Sequence, residues 1–207
     1  MPPAHELRTW TRQIPGDDHR TCTYIISTDP SLIQLDALNA ALGSDMIYWA
    51  QPVPLETLRL CVEQSLCFGL YIHDEQGANG DEDHGKSGDG KVMTMIGLSR
   101  LVTDYTTFGY LTDVYVLASH QGKGLGKWMM QCLDEVLSSW PHLRRCLLFT
   151  SGEAAVKMYR ATIGAKYISE TPSKDLVLLE RRGTAATFKV GKAMGADASK
   201  TGTEKER

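Results

Sequence analysis

Leu111–Met130 reads LTDVYVLASHQGKGLGKWMM, and its three parts decide the fold. The first part, to Leu117, is β-branched and alternating, as a half-buried strand is. Ser119-His120-Gln121 turns the chain, and Gly122, Gly124 and Gly126 follow within five residues. Leu125, Met129, Cys132, Leu133, Val136 and Leu137 then hold one face of a helix apolar until Trp140-Pro141 stops it. A strand, a glycine turn and a helix start aim backbone N–H groups and the positive end of a helix dipole at an anion. A pyrophosphate fits that cradle. Two nucleotide readings fail on spacing. Gly126-Lys127 is followed by Trp128, so a Walker loop would lack its magnesium-holding hydroxyl. Gly122-x-Gly124-x-Gly126 has the wrong third interval for a dinucleotide fold and follows three earlier strands.

The flanking chain supplies the remaining elements. Thr21–Ser27 is predicted as a first strand, after a loose arm over residues 1–20 rich in Pro, Thr and charge. Asp29-Pro30 predicts an N-cap and first helical position, with Leu32, Leu35, Leu38 and Leu42 at helical spacing and Gly43 closing the helix. An aromatic linker, Ser44–Trp49, leads to a second helix from Pro54, with Leu55, Leu58, Val62 and Leu66 inward. Cys67–His73 is the second strand, Lys91–Thr103 the third and Phe108–Leu117 the fourth. Between the second and third, residues 75–90 carry five glycines and five acids against one lysine, which predicts a flexible acidic loop. Arg145–Thr150 is a fifth strand, Glu153–Thr162 a short helix, and Ala165–Ser169 and Asp175–Glu180 further strands. The tail from 183 to 207 has almost nothing to bury and reads as disordered. Residues 21–182 form one α/β domain, with helices on the faces of a mixed sheet.

Composition sets outer bounds. The 207 residues suit one well-buried domain. A formal charge of −3 offers no reason to expect nucleic acid or an anionic membrane as partner. No apolar run approaches the roughly 18 residues of a membrane span, and the start, MPPAHELRTWTRQ, lacks a signal-peptide core. Five cysteines sit in apolar runs without CxxC spacing, as reduced core thiols do, so neither a disulfide framework nor a metal site is expected. A cytoplasmic location, or a nuclear one, follows as the expectation.

Gln121-x-x-Gly124-x-Gly126, directly after Val114-Tyr115-Val116, resembles the acetyl-CoA pyrophosphate loop of the GNAT superfamily of N-acetyltransferases, [RQ]-x-x-G-x-[GA]. The element order resembles that family's order, and RCLLFTSGEAAVKMYRATIGAKY resembles its fifth strand and the tyrosine-bearing helix behind it. SLCFGLY, TTFGYLTDVYVL and GKGLGKW are also similar to a branch of small bacterial and fungal members. The resemblance spans roughly Cys22–Glu180. It implies a central, mostly antiparallel twisted sheet of about seven strands, splayed between the fourth and fifth, with about four helices on its faces. It implies acetyl-CoA as co-substrate without a metal, and direct transfer to a primary amine, either a small molecule or a protein or peptide, with no acyl-enzyme. Homodimerisation is compatible with it.

The same resemblance assigns site residues. Main-chain groups near Val114, Tyr115 and Val116 would pair with pantetheine, and a bulge would splay the fourth strand from the fifth. Gln121, with the N–H groups of Gly122, Lys123, Gly124, Leu125, Gly126 and Lys127, would cradle the pyrophosphate. Lys123 and Lys127 are equally readable as solvated surface charges. Tyr159 stands at the general-acid position, with four residues before Gly164 where the family has three. Gly152 stands where many members carry an asparagine. Asp113 is a candidate base, or else a structural aspartate; Asp104 and Glu63 are weaker choices. Tyr48, Trp49 and Arg100 are candidates for the acceptor pocket, with core packing as the competing reading. An acyl-CoA-binding module that has lost turnover is the alternative to an enzyme, on account of the departures at Gly152 and Gly164.

Overall fold

A computed structural model of the chain describes residues 6–15, 21–74 and 92–170, together with positions 179 and 181. Among the described residues the strands are β1 (Thr9–Pro15), β2 (Thr21–Ser27), β3 (Leu66–Asp74), β4 (Val92–Thr103), β5 (Phe108–Val116) and β6 (Arg145–Leu148). The helices are α1 (Leu35–Gly43), α2 (Leu55–Glu63), α3 (Leu125–Ser138) and α4 (Glu153–Ile163). The strands lie in one sheet in chain order, β1 to β6. Each neighbouring pair is antiparallel except β5–β6, which is parallel and joined through α3. This is the mixed, mostly antiparallel sheet with helices on both faces that the sequence predicts.

Both faces of the sheet are covered, which is why its central strands read as continuous apolar runs. Phe68 and Leu70 of β3 point to one face and join Leu125, Met129, Leu133 and Tyr159 of α3 and α4. Cys67 and Tyr71 point to the other and join Leu38, Leu42, Leu58 and Val62 of α1 and α2, together with Tyr115. Cys67 and Cys132 are fully buried free thiols, and burial pushes both up to about 12. They belong to the core.

Four expectations are corrected. The arm contributes an edge strand, β1, in register with β2 from Thr9↔Ser27 to Pro15↔Thr21. It is stitched to α3 by side chains: Trp10 Nε1 donates to Glu135 Oε2 at 3.0 Å, and the Arg12 guanidinium lies 4.6 Å from the Trp128 ring centroid. The first helix is interrupted. Asp29 does cap, accepting from Ser31 N–H at 2.9 Å, but only for a single 3₁₀ turn, Pro30–Leu32. Extended Ile33 and Gln34 follow, because the Gln34 amide docks on β4, donating to Met93 O at 2.7 Å and accepting from Met95 N–H at 3.0 Å. In the second helix Leu58 and Val62 are buried as expected, whereas Leu55 is exposed and Leu66 opens β3 instead. Residues 165–169, expected to be a strand, are irregular and enter a 3₁₀ turn at Ile168–Glu170. The expected strand at 175–180, the acidic loop at 75–90 and the tail from 183 fall almost wholly outside the described residues, so the sheet counts six described strands rather than about seven.

Candidate active site

The site begins where β5 parts from β6. The two strands pair only from Phe108↔Arg145 to Leu111↔Leu148. Beyond Leu111 the sheet opens. The cause is local to β5: Leu98 opposes Tyr115 but Arg100 opposes Thr112, so β5 carries one extra residue, and Asp113 takes a φ of 51°. Such a bulge bends its strand and increases its twist. Leu117 N–H donates to Ile96 O at 2.8 Å, toward β4. Successive residues of a strand direct their main-chain groups to opposite sides, so those of Val116, and by the same alternation Val114, face the opening. Tyr115 turns its ring into the α1–α2 core and, by the same alternation, its main-chain groups toward β4, so neither meets the opening.

The glycine turn closes one end of this slot. Gly122 and Gly124 have φ of 79° and 74°, a region that non-glycine residues rarely enter, and a Cβ at either would meet nothing within 4 Å. The space above them is therefore open to a ligand. Gly124 is the N-cap of α3 and supplies no side-chain hydrogen bond, so the helix presents its first N–H groups and positive dipole end uncapped. Leu125 anchors the turn in the core. A Cβ on Gly126 would rest 3.7 Å from Met158 Sδ and 4.0 Å from Val116 Cγ2, at ordinary contact. Gln121 shapes the turn rather than offering its N–H: its backbone donates to Ala118 O at 3.2 Å and its Nε2 to Val116 O at 2.8 Å. Lys123 Nζ leans back to Tyr24 Oη at 3.3 Å, whereas Lys127 is exposed on the first turn of α3. His120, just before the turn, packs edge-on against Tyr24 and is held below its usual pKa by burial and by Lys123.

At the other end of the slot, a cavity of about 230 Å³ is lined by Tyr48, Trp49, Thr112, Asp113, Val114, Phe149, Thr150, Ser151 and Tyr159, among others. Candidates separated by more than a hundred residues of chain thus meet around one space. Tyr159 is buried on α4, burial raises its pKa above the ordinary 10, and among the described residues its hydroxyl makes no hydrogen bond. The four residues after it all remain helical, and left-handed Gly164 ends α4 with its N–H on Tyr159 O. The additional residue therefore lengthens the last turn, and Tyr159 still faces the cavity. Gly152 opens α4 with φ 88° and no side-chain cap.

Asp113 is held from three directions. Arg100 Nε donates to Oδ2 at 2.7 Å, and Trp49 Nε1 and Thr112 Oγ1 each donate to Oδ1 at 3.3 Å. Arg100 is held in turn by Ser65 Oγ at 3.1 Å from its Nη1. A carboxylate so occupied fixes the linker to the bulge. Arg100 thus sits behind Asp113, absent from the cavity lining. Asp104 is spent elsewhere: it accepts from the Thr107 hydroxyl at 2.6 Å and from the N–H groups of Thr107, Thr106 and Phe108 in the β4–β5 turn, which holds its carboxyl far below the usual range. Across the cavity mouth Tyr48 Oη and Ser151 Oγ share a hydrogen bond of 2.7 Å, tying the α1–α2 linker to the loop before α4. Phe149, Thr150 and Thr112 are lining residues that the sequence reading passes over; their only signal is position, just past the point where β5 and β6 diverge.

A slot beside a bulged strand, a glycine turn at a helix N-terminus and a buried tyrosine over a mixed cavity define a fold and site suited to an acyl thioester carried on a pyrophosphate. The comparisons agree. Residues 58–165 match the model of the Acetyltransferase (GNAT) family. A Gibberella zeae protein named as a candidate acetyltransferase, FG08082, is 44% identical over 171 residues, covering 78% of this chain and 90% of its own. The crystal structure of a Xanthomonas campestris protein assigned to the same family aligns with a TM-score of 0.53 at 25% identity, over 80% of this chain and 96% of that one. The chain belongs to the GNAT family of acetyltransferases. Among the described residues no helix is long and apolar enough to cross a membrane, and no group of three His, Cys, Asp or Glu is placed to hold a metal ion.

Proposed function

We propose that this acetyltransferase moves an acetyl group from acetyl-CoA directly to a primary amine. The observation that carries the reading is the continuity of the open β5 edge: its outward main-chain groups lead from the uncapped N-terminus of α3 to the cavity under Tyr159. The N–H groups from Gly122 to Lys127 would hold the pyrophosphate, and that of Val116, beside the turn, the pantetheine arm. The bound thioester supplies an activated acetyl carbon: one proton leaves the ammonium for solvent, the neutral amine forms a C–N bond, the C–S bond breaks with its electron pair leaving on sulfur, and nitrogen loses a second proton as the amide forms. The outward N–H of Val114, which lines the cavity, is suited to stabilise negative charge on the thioester oxygen. Tyr159, kept protonated by burial, is suited to give its proton to the leaving sulfur and to regain one from the amine through solvent.

Asp113 serves this scheme as an anchor. Its oxygens already receive Arg100, Trp49 and Thr112, which leaves one acceptor position to orient the amine, and proton removal falls to water in the half-open cavity. The same occupancy is what favours the second reading, a binding module without turnover. Release of CoA thiol across a panel of primary amines separates the two: amine-dependent release supports transfer, and acetyl-CoA binding with no release for any amine supports the module.

A further inference from the structure

The cavity has a chemical character that narrows the acceptor. Depth sorts its walls: Tyr159 and Asp113 are 7% and 9% exposed, Tyr48 and Trp49 each 37%, and Phe149 64%. The inner end is polar and the mouth is aromatic. Tyr48 and Trp49 meet edge to face, with centroids 4.9 Å apart and planes at 87°, which makes a right-angled corner. Both rings are pinned, Tyr48 by Ser151 and Trp49 by Asp113, so the corner is preformed. Aromatic faces at such a corner attract a cation and also cover an apolar body. Among the described residues, Asp113 is the only formally charged side chain in the lining. Two carboxylate oxygens offer about four acceptor positions, and Asp113 uses three of them on Arg100, Trp49 and Thr112. One remains, enough for a single ammonium hydrogen bond. Arg100 already balances the charge, so among the described residues a second cation on the acceptor would find no counter-ion in the lining, and a carboxylate or phosphate would find no cationic partner there.

We infer that the acceptor is a monoamine on a compact apolar body, of the arylalkylamine kind, whose ammonium end points to Asp113 and whose body lies on Tyr48, Trp49 and Phe149. This deepens the acetyltransferase reading and rests on it. Phenethylamine, phenylalanine and spermidine separate the features: one amine with a ring, the same with an added carboxylate, and several cations without a ring.

The test uses the full chain. Calorimetry with acetyl-CoA is done first on the same preparation, and turnover of the three probes is then compared. Phenethylamine is expected to exceed the other two in kcat/KM by about tenfold or more, as unmatched charge in a closed site does. Trp49→Ala is expected to raise its KM by about tenfold, and Phe149→Ala, a substitution at an exposed position, by about threefold, with acetyl-CoA affinity unchanged. Equal or better use of phenylalanine or spermidine, no turnover of phenethylamine, or a KM that neither substitution moves overturns the inference while the family reading stands. If acetyl-CoA does not bind, the proposed function falls instead. Titration with the three amines alone then decides: tighter binding of phenethylamine, weakened by both substitutions, supports the pocket assignment, and any other order overturns it.

Discussion

The two ends of the slot are built by opposite means. The glycine turn at 121–127 is held open by what it lacks: side chains at Gly122 and Gly124, and a cap on α3. The cavity end is held in shape by what it contains, a chain of polar contacts from Ser65 through Arg100 and Asp113 to Trp49, and the Tyr48–Ser151 bridge at its mouth. A site made from backbone N–H groups survives most changes of side chain, whereas a site made from side-chain contacts does not. Under the proposed function, the turn holds the co-substrate and the cavity holds the acceptor.

The sharpest way to break this division is at Tyr159, the lining side chain proposed to act as the acid. Tyr159→Phe is expected to lower kcat by roughly a hundredfold or more, in keeping with loss of a positioned acid, while acetyl-CoA affinity is kept. Burial raises the phenol's pKa from its ordinary 10, so the proton is retained through neutral pH and the wild-type alkaline limb falls above 10. A pH–rate profile checks both, and an unchanged kcat in the phenylalanine variant removes Tyr159 from the chemistry. Next in size is Arg100→Ala, which leaves Asp113 nearly buried without its cation and should cost about 3 kcal/mol of stability in denaturant titration. A loss well under 1 kcal/mol would mean that the pair is solvated. At the turn, Gly124→Ala places a Cβ in a left-handed residue at a strain of about 1 kcal/mol. It should weaken acetyl-CoA binding by about tenfold, because the added carbon occupies the phosphate's approach. Calorimetry reads that directly, and unchanged affinity would place the pyrophosphate elsewhere. The smallest effect is Tyr48→Phe, which removes the Ser151 bond at a half-exposed position and should cost about 0.5 kcal/mol of stability by denaturant titration, with a rise in amine KM rather than a fall in kcat. A fall in kcat would make the bridge part of the reacting geometry.

The same division governs what could be read before the structure. The turn was legible because its signal is local: an alternating run, glycines two residues apart and an apolar helical face all lie within Leu111–Met130. The cavity's members were legible singly. Tyr48, Trp49, Arg100, Asp113 and Tyr159 were all named, but the chain carries no mark that Arg100 Nε would lie 2.7 Å from Asp113 Oδ2. That pairing depends on the extra residue in β5, which shifts the register between Leu98 and Arg100. β1 escaped for a related reason. Its strand is an edge, its burial alternates between exposed and half-buried, and Trp10, Arg12 and Ile14 gain their partners on α3 and the core only in three dimensions. Gln34 likewise reads as one more helical residue until its amide finds the backbone of β4.

The central claim is that the turn and the open strand edge receive acetyl-CoA. Calorimetric titration of the full chain with acetyl-CoA and, separately, with ATP tests it most directly. Saturable one-to-one binding of acetyl-CoA, with ATP far weaker, is the expected result; tight ATP binding without acetyl-CoA binding would contradict it.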